Sequence, residues 1–255
     1  MKRNWVREKV LAGEPTVGSF VGLGSPTVVE LLAHAGYDWL AIETEHSALD
    51  TAETQHMLMA VGNSESIPIV RVPSHDPIGI QRALDIGAMG VLVPMTRTAE
   101  QARAIVSATR YPPDGTRGFG PLRASKYTID YPDYLDKAND NMLVALILET
   151  SEAIDNLEEI MSVPGVDAMY IGMYDLSLNL GLNPLDLPLP EIDGVIEKAL
   201  ATSRKTGVAL GIGVRSPEDL DHRLNQGFRF IVYGTDYNLL LNAAKTSLQA
   251  FRDRT

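Results

Sequence analysis

The 255-residue chain has no cysteine, which excludes disulfides, thiolate metal ligands and a cysteine nucleophile. It also has no run of Lys and Arg, and its formal net charge is -11. Such a surface repels phosphate backbones, so nucleic acid is not an expected partner. No apolar run approaches the ~18 residues of a membrane span. The basic segment Met1 to Val10 is not followed by an apolar stretch and does not read as a secretion signal. The expected location is the cytoplasm. Lysine is scarce. Lys2, Lys9, Lys126, Lys137, Lys198, Lys205 and Lys245 are the full set, and none ends an apolar run. An imine-forming enzyme needs a desolvated lysine in its site, so this absence favours a metal as electron sink.

Apolar runs capped by polar groups are plentiful. Ile42-Glu43-Thr44-Glu45-His46, Ile69-Val70-Arg71, Leu92-Val93-Pro94-Met95-Thr96, Leu146-Ile147-Leu148-Glu149 and Tyr170-Ile171-Gly172-Met173-Tyr174-Asp175 share this form. Each reads as a buried parallel strand delivering a functional group from one end. That is the arrangement of a (β/α)8 TIM barrel, whose active site lies on its C-terminal face. Strands are expected at 18–23, Trp39–Glu43, Ile67–Arg71, Val91–Pro94, Leu143–Glu149, Ala168–Gly172, Ala209–Val214 and Phe230–Tyr233. Helix signals separate them: Pro26 with a stop at Gly36, Asp50, Pro77, Thr98, Ser151, Pro190 to Thr206, Ser216-Pro217, and Asp236 to Phe251. Parallel neighbours need such crossovers, so the expected fold class is α/β, one barrel over 1–255. A helix over 3–12 is expected to close the barrel bottom. The glycine- and proline-rich stretch Arg110 to Gly120 reads as a lid or substrate clamp on the C-terminal face, or as a surface connection.

The delivered groups suit metal-assisted chemistry on a small oxo acid. Glu149 and Asp175 end neighbouring strands, and two carboxylates facing one cavity repel unless a proton or cation lies between them. Oxygen ligation suits Mg2+ or Mn2+. The structural alternative makes Glu149 a helix cap and Asp175 the N-cap of its turn. His46 beside Glu43 and Glu45 reads as a general base, which Asp85 could orient, or as a solvated loop. Arg71 needs an anionic partner, either Glu45 or a substrate.

Ordered segments along nearly the whole chain carry a resemblance. They are Ala35-Gly36-Tyr37-Asp38-Trp39-Leu40 leading to Glu45-His46, Val70-Arg71-Val72-Pro73, Leu84-Asp85-Ile86-Gly87-Ala88, Val93-Pro94-Met95 and Thr98-Ala99-Glu100-Gln101-Ala102. Arg110-Tyr111-Pro112-Pro113 with Gly115-Thr116-Arg117-Gly118, Glu149 with Asp155-Asn156-Leu157, and Ile171-Gly172 with Asp175-Leu176-Ser177 continue the series. The chain resembles the HpcH/HpaI family of class II pyruvate aldolases. The resemblance implies reversible cleavage of 4-hydroxy-2-oxo acids to pyruvate, or a related 2-oxo acid such as hydroxypyruvate, and an aldehyde, through an enolate held at a divalent metal (Mg2+, Mn2+ or Co2+). It further implies Glu149 and Asp175 as metal ligands and Arg71 at the enolate oxygen. His46 paired with Asp85 would transfer the proton, and the backbone of Gly172, Met173, Tyr174 and Asp175 would hold the pyruvate carboxylate. The family association implies a homohexamer, a trimer of dimers with the C-terminal helix exchanged.

Three departures from the family pattern stand out: Glu43 for a shorter Asp, Met173-Tyr174 before Asp175, and Ile147 for Gln. Phe20 stands for a larger Trp and would widen the aldehyde side. Glu43, Glu45, Phe20 and Arg117 are secondary site candidates. Two rival readings use the same residues. One is an oxaloacetate decarboxylase or macrophomate synthase-like carbon-carbon ligase. The other is a non-catalytic barrel that binds an oxo acid.

Overall fold

The computed structural model describes residues 1–254. Eight parallel strands close into one barrel in chain order: β1 Thr16–Val21, β2 Trp39–Glu43, β3 Ile67–Arg71, β4 Gly90–Val93, β5 Leu143–Leu148, β6 Ala168–Ile171, β7 Ala209–Val214 and β8 Phe230–Thr235. Helices wrap it: α1 Trp5–Leu11, α2 Pro26–Ala35, α3 Thr51–Val61, α4 Pro77–Asp85, α5 Ala99–Thr109, α6 Tyr131–Asn141, α7 Ser151–Asp155, α8 Leu157–Met161, α9 Met173–Asn179, α10 Pro190–Thr206, α11 Pro217–Gln226 and α12 Asp236–Arg252. The α/β (β/α)8 expectation is met. Among the described residues no helix is long and apolar enough to cross a membrane.

Strand parity explains how the barrel positions its functional groups. Successive side chains alternate between the helix-facing layer and the barrel interior. Leu40, Ile42, Val70, Val144, Leu146 and Leu148 pack outward with the helices. Trp39, Ala41, Ile67, Ile69, Leu143, Ala145 and Ile147 fill the interior with Phe230 and Val232. One more inward step along three of these strands reaches Glu43, Arg71 and Glu149. The floor is packed tightly: the Trp39 and Phe230 rings stack with centroids 4.1 Å apart. A Cβ on Gly18 would fall 2.1 Å from the Trp39 ring, so only glycine fits there. On β7 the inward positions are Gly211 and Gly213, and neighbouring side chains fill the room they leave: a Cβ on Gly211 would lie 2.7 Å from the Phe230 carbonyl, and one on Gly213 would lie 3.1 Å from the Tyr170 hydroxyl.

Helix α1 seals the bottom, as expected for 3–12. Val6 and Val10 enter the interior cluster. Arg7 donates from Nε and Nη2 to the buried Asp167 carboxylate, at 3.0 Å each. Asn4 Nδ2 donates to the Met89 carbonyl at 2.7 Å.

Several expectations need correction. Strand β1 starts at Thr16 and stops at Val21, because the amides of Gly22 and Leu23 turn to the Asp236 carboxylate. Thr150 caps α7, accepting from the Ala153 amide, and Ser151 is the first helical residue. Gly172 is the N-cap of α9 and Asp175 lies within that helix, so Asp175 is not a cap. Helix α6 is an addition. The stretch Arg110 to Gly120 follows α5 and leads through α6 to the start of β5. It therefore belongs to the N-terminal side of the barrel and is not a lid on the C-terminal face.

Candidate active site

A cavity of about 920 Å³ opens at the C-terminal face, lined by Phe20, Glu43, His46, Arg71, Ile147, Glu149, Tyr170, Gly172, Met173, Tyr174, Asp175 and Arg215, among others. Most of the residues expected at the site are brought together here. Glu45 lies just behind the wall through its contact with Arg71, while Asp85 and Arg117 lie elsewhere.

Arg71 is the centre of charge. Its Nη1 donates to Glu43 Oε2 at 3.0 Å, and its Nη2 forms a close ion pair with Glu45. The guanidinium sits 5.7 Å from the Phe20 ring centroid, and Phe20 packs edge-on against Tyr170. The buried Nε of Arg71 has no protein acceptor, and Glu45 Oε2 lacks a well-directed donor. Glu43 also orders the following turn, because its Oε1 accepts from the amides of Glu45 (2.7 Å) and His46 (3.1 Å). The longer acid therefore binds both Arg71 and its own loop. His46 projects into solvent with its side chain 60% exposed, and its Nε2 lies 3.5 Å from both Glu45 Oε2 and Arg71 Nη2. Burial pushes the Glu45 carboxyl up, against the pull of Arg71.

Glu149 is 2% exposed. One oxygen accepts a short hydrogen bond from the Met95 amide. That contact holds Met95 at a φ of 54°, a left-handed conformation that costs a non-glycine residue energy. Thr150, not Glu149, is the N-cap of α7, and among the described residues Glu149 makes no bond to that helix. Burial drives its carboxyl up to about 7, opposed by the Met95 amide and Arg71 and reinforced by the charges of Glu45 and Asp175. Gly172 packs closely beside it: a Cβ there would lie 3.0 Å from Glu149 Oε2 and 3.1 Å from Ile147, so a larger residue would press on that carboxylate. The amides of Met173, Tyr174 and Asp175 open α9 with no side-chain cap.

Asp85 ends α4 and so lies toward the N-terminal side of the barrel. It accepts from Arg117 Nη2 at 2.6 Å. Arg117 also donates to Tyr134 Oη at 3.0 Å and lies over the Tyr111 ring. Among the described residues His46 and Asp85 make no contact, and Arg117 clamps a loop remote from the cavity. The sequence reading misses Arg215, although Ile212-Gly213-Val214-Arg215 ends an apolar run with a charge just as Arg71 does.

This site occurs in a known setting. The family model for HpcH/HpaI aldolase/citrate lyase matches residues 16–243. The chain belongs to that family. It is 40% identical over 252 residues to 4-hydroxy-2-oxo-heptane-1,7-dioate aldolase of Escherichia coli, covering 97% of this chain and 95% of the relative. A family protein of Burkholderia cenocepacia J2315 superposes with a TM-score of 0.93 at 34% identity, covering 98% of this chain and 99% of the other. The HpcH/HpaI aldolase of Desulfitobacterium hafniense DCB-2 gives 0.90 at 27% identity, with 96% of each chain covered. The expectation of an enzyme of the aldolase-type lyase class is thus met at family level.

Proposed function

We propose that the protein is a divalent-metal-dependent aldolase that reversibly cleaves 4-hydroxy-2-oxo acids to pyruvate, or a close 2-oxo acid, and an aldehyde. The observation that carries this reading is the buried Glu149 carboxylate, held beside Asp175 in a cavity that also contains Arg71. A carboxyl pushed to about 7 by burial and by two neighbouring acids is stabilised in its ionised form by a cation. Glu149 and Asp175 fit that role. Two carboxylates would leave open positions for water and substrate oxygens. Mg2+, Mn2+ and Co2+ all accept such a set.

When bound, the metal supplies Lewis-acid polarisation of the 2-oxo group. The chain supplies the rest. Arg71 lines the cavity and supplies the positive charge that stabilises the 2-oxo oxygen as the enolate forms. His46 takes the proton of the 4-hydroxyl as the C3–C4 bond breaks, and returns it to the aldehyde oxygen in the reverse direction. The free amides opening α9, from Met173 to Asp175, receive the pyruvate carboxylate. Tyr170 and Phe20 close the wall around these groups. Asp85 can serve His46 only from a second copy of the chain, since the two occupy opposite ends of one barrel. The assembly we infer, a hexamer built from dimers with α12 exchanged, provides such copies. Exposed Leu240, Leu241 and Leu248 on α12 support an exchanged helix.

The test is deuterium exchange into the pyruvate methyl group, followed by NMR in D2O with Mn2+ and again with chelator. We expect metal-dependent exchange that Glu149→Ala and Asp175→Ala abolish. Exchange at the wild-type rate in both variants would remove the metal site. Oxaloacetate decarboxylation far faster than turnover of any 4-hydroxy-2-oxo acid would instead favour a decarboxylase.

A further inference from the structure

The cavity extends beyond the groups assigned above. Pyruvate has six non-hydrogen atoms, and a space of about 920 Å³ holds considerably more. The cavity runs on past the end of β7, lined there by Gly213, Val214 and Arg215, and toward the root of α12, lined by Tyr237, Asn238 and Asn242. Arg215 follows the last residue of β7 at that end of the cavity.

Two arginines line the cavity, and they differ in how their charge is met. Arg71 faces Glu43 and Glu45. Arg215 has no carboxylate partner for its guanidinium among the described residues. Asp219 accepts only the Arg215 backbone amide, at 3.1 Å, and pairs its carboxylate with Arg223 at 3.3 Å. The guanidinium is instead held by Tyr174, through a short hydrogen bond from Nη2 to the phenol oxygen and a ring centroid 5.4 Å from Cζ. The hydroxyl and ring of Tyr174 together restrain the guanidinium, and only one of its N–H groups is used in that hydrogen bond. A planar guanidinium without a carboxylate partner, at the end of the cavity away from Glu149 and Arg71, is suited to bidentate binding of a carboxylate.

We propose that Arg215, positioned by Tyr174, is a specificity determinant that selects aldehydes carrying a carboxylate at the end remote from the carbonyl. The assignment rests on the aldolase reading. In the cleavage direction the substrate is then a 4-hydroxy-2-oxo diacid. Its C1 carboxylate lies at α9 and its distal carboxylate lies at Arg215. Breaking C3–C4 sends the electron pair to the pyruvate enolate and the hydroxyl proton to His46. The anionic aldehyde remains tethered to Arg215 until it dissociates.

Two aldehydes of equal length, 4-oxobutanoate and butanal, test this in the synthesis direction with pyruvate and Mn2+. The readout is the ratio of their kcat/KM values in wild type, Arg215→Gln, Arg215→Lys and Tyr174→Phe. We expect Arg215→Gln to lower the preference for 4-oxobutanoate by about tenfold or more, as loss of a charge-assisted pair would. The effect should fall mainly on KM. Arg215→Lys should recover part of it, and Tyr174→Phe should lie between. Calorimetry adds a readout independent of turnover, comparing 2-oxoheptanedioate with 2-oxoheptanoate. Arg215→Gln should lose the preference for the diacid. A preference unchanged in Arg215→Gln by both measures overturns the assignment, as does an equal fall for both aldehydes. Absence of methyl exchange in the wild type would sink the enolate reading instead. A diacid preference that depends on Arg215 would still identify the anion anchor.

Discussion

At the residue scale, Glu149 links burial, protonation and metal binding. Its carboxyl is pushed from 4.5 up to about 7 by burial. A raised carboxyl means that the folded, metal-free protein keeps a proton that the unfolded chain has already released. Stability therefore falls as pH rises from about 4.5 to about 7. A cation competes with that proton, so its affinity rises over the same window. We expect the thermal midpoint of metal-free protein to decline across this range. Added Mn2+ should raise the midpoint more at a pH one unit above the upper value than one unit below it. Glu149→Gln should flatten both trends. Gly172 makes a second, steric prediction. Its absent Cβ leaves 3.0 Å to Glu149 Oε2. Gly172→Ala should displace that oxygen and weaken Mn2+ binding by about tenfold, the scale of lost ligand support, as measured by calorimetry.

At the scale of elements, much of the architecture is written in short apolar runs and their terminators. Strands β2, β3 and β7 fall at the positions read from sequence, because they are continuous apolar segments bounded by turn residues. The polar groups that end β2, β3 and β5 are legible for the same reason: an acid or arginine directly after a buried run has few structural uses. Helix α6 is not legible. Its sequence YPDYLDKANDN buries only Tyr134 and Ala138, too little apolar spacing to announce a helix. The face occupied by Arg117 is hidden as well, because glycine and proline mark a loop without marking which end of the barrel it serves. Asp85 carries a family motif, yet its separation from His46 is a property of the closed barrel and not of local sequence. Helix α1 gives a stability prediction. The Arg7–Asp167 pair buries the acid at 1% side-chain exposure. Arg7→Ala leaves that charge unpaired and should cost about 3 kcal/mol, read as a lowered urea midpoint. Pyruvate methyl exchange in the folded variant should persist.

At the scale of the whole molecule, α12 is the element least accounted for by one chain. Asp236 anchors its root by accepting from the amides of Gly22 and Leu23. Beyond that root, Leu240 is 64% and Leu248 is 54% exposed. Apolar area displayed along a helix marks an interface. Leu240→Asp combined with Leu241→Asp should shift sedimentation velocity from an oligomer toward the single chain and lower the thermal midpoint. A wild-type monomer would contradict the exchanged-helix assembly. The plug formed by α1 has a separate kinetic consequence. With the floor closed by Val6, Val10 and the Trp39–Phe230 stack, the barrel has one doorway. Pyruvate would occupy the inner end of this blind passage and the aldehyde the outer end, so departure is ordered: aldehyde first, pyruvate last. Product inhibition should then be competitive for pyruvate and mixed for the aldehyde, and the synthetic reaction should require pyruvate to enter before its partner.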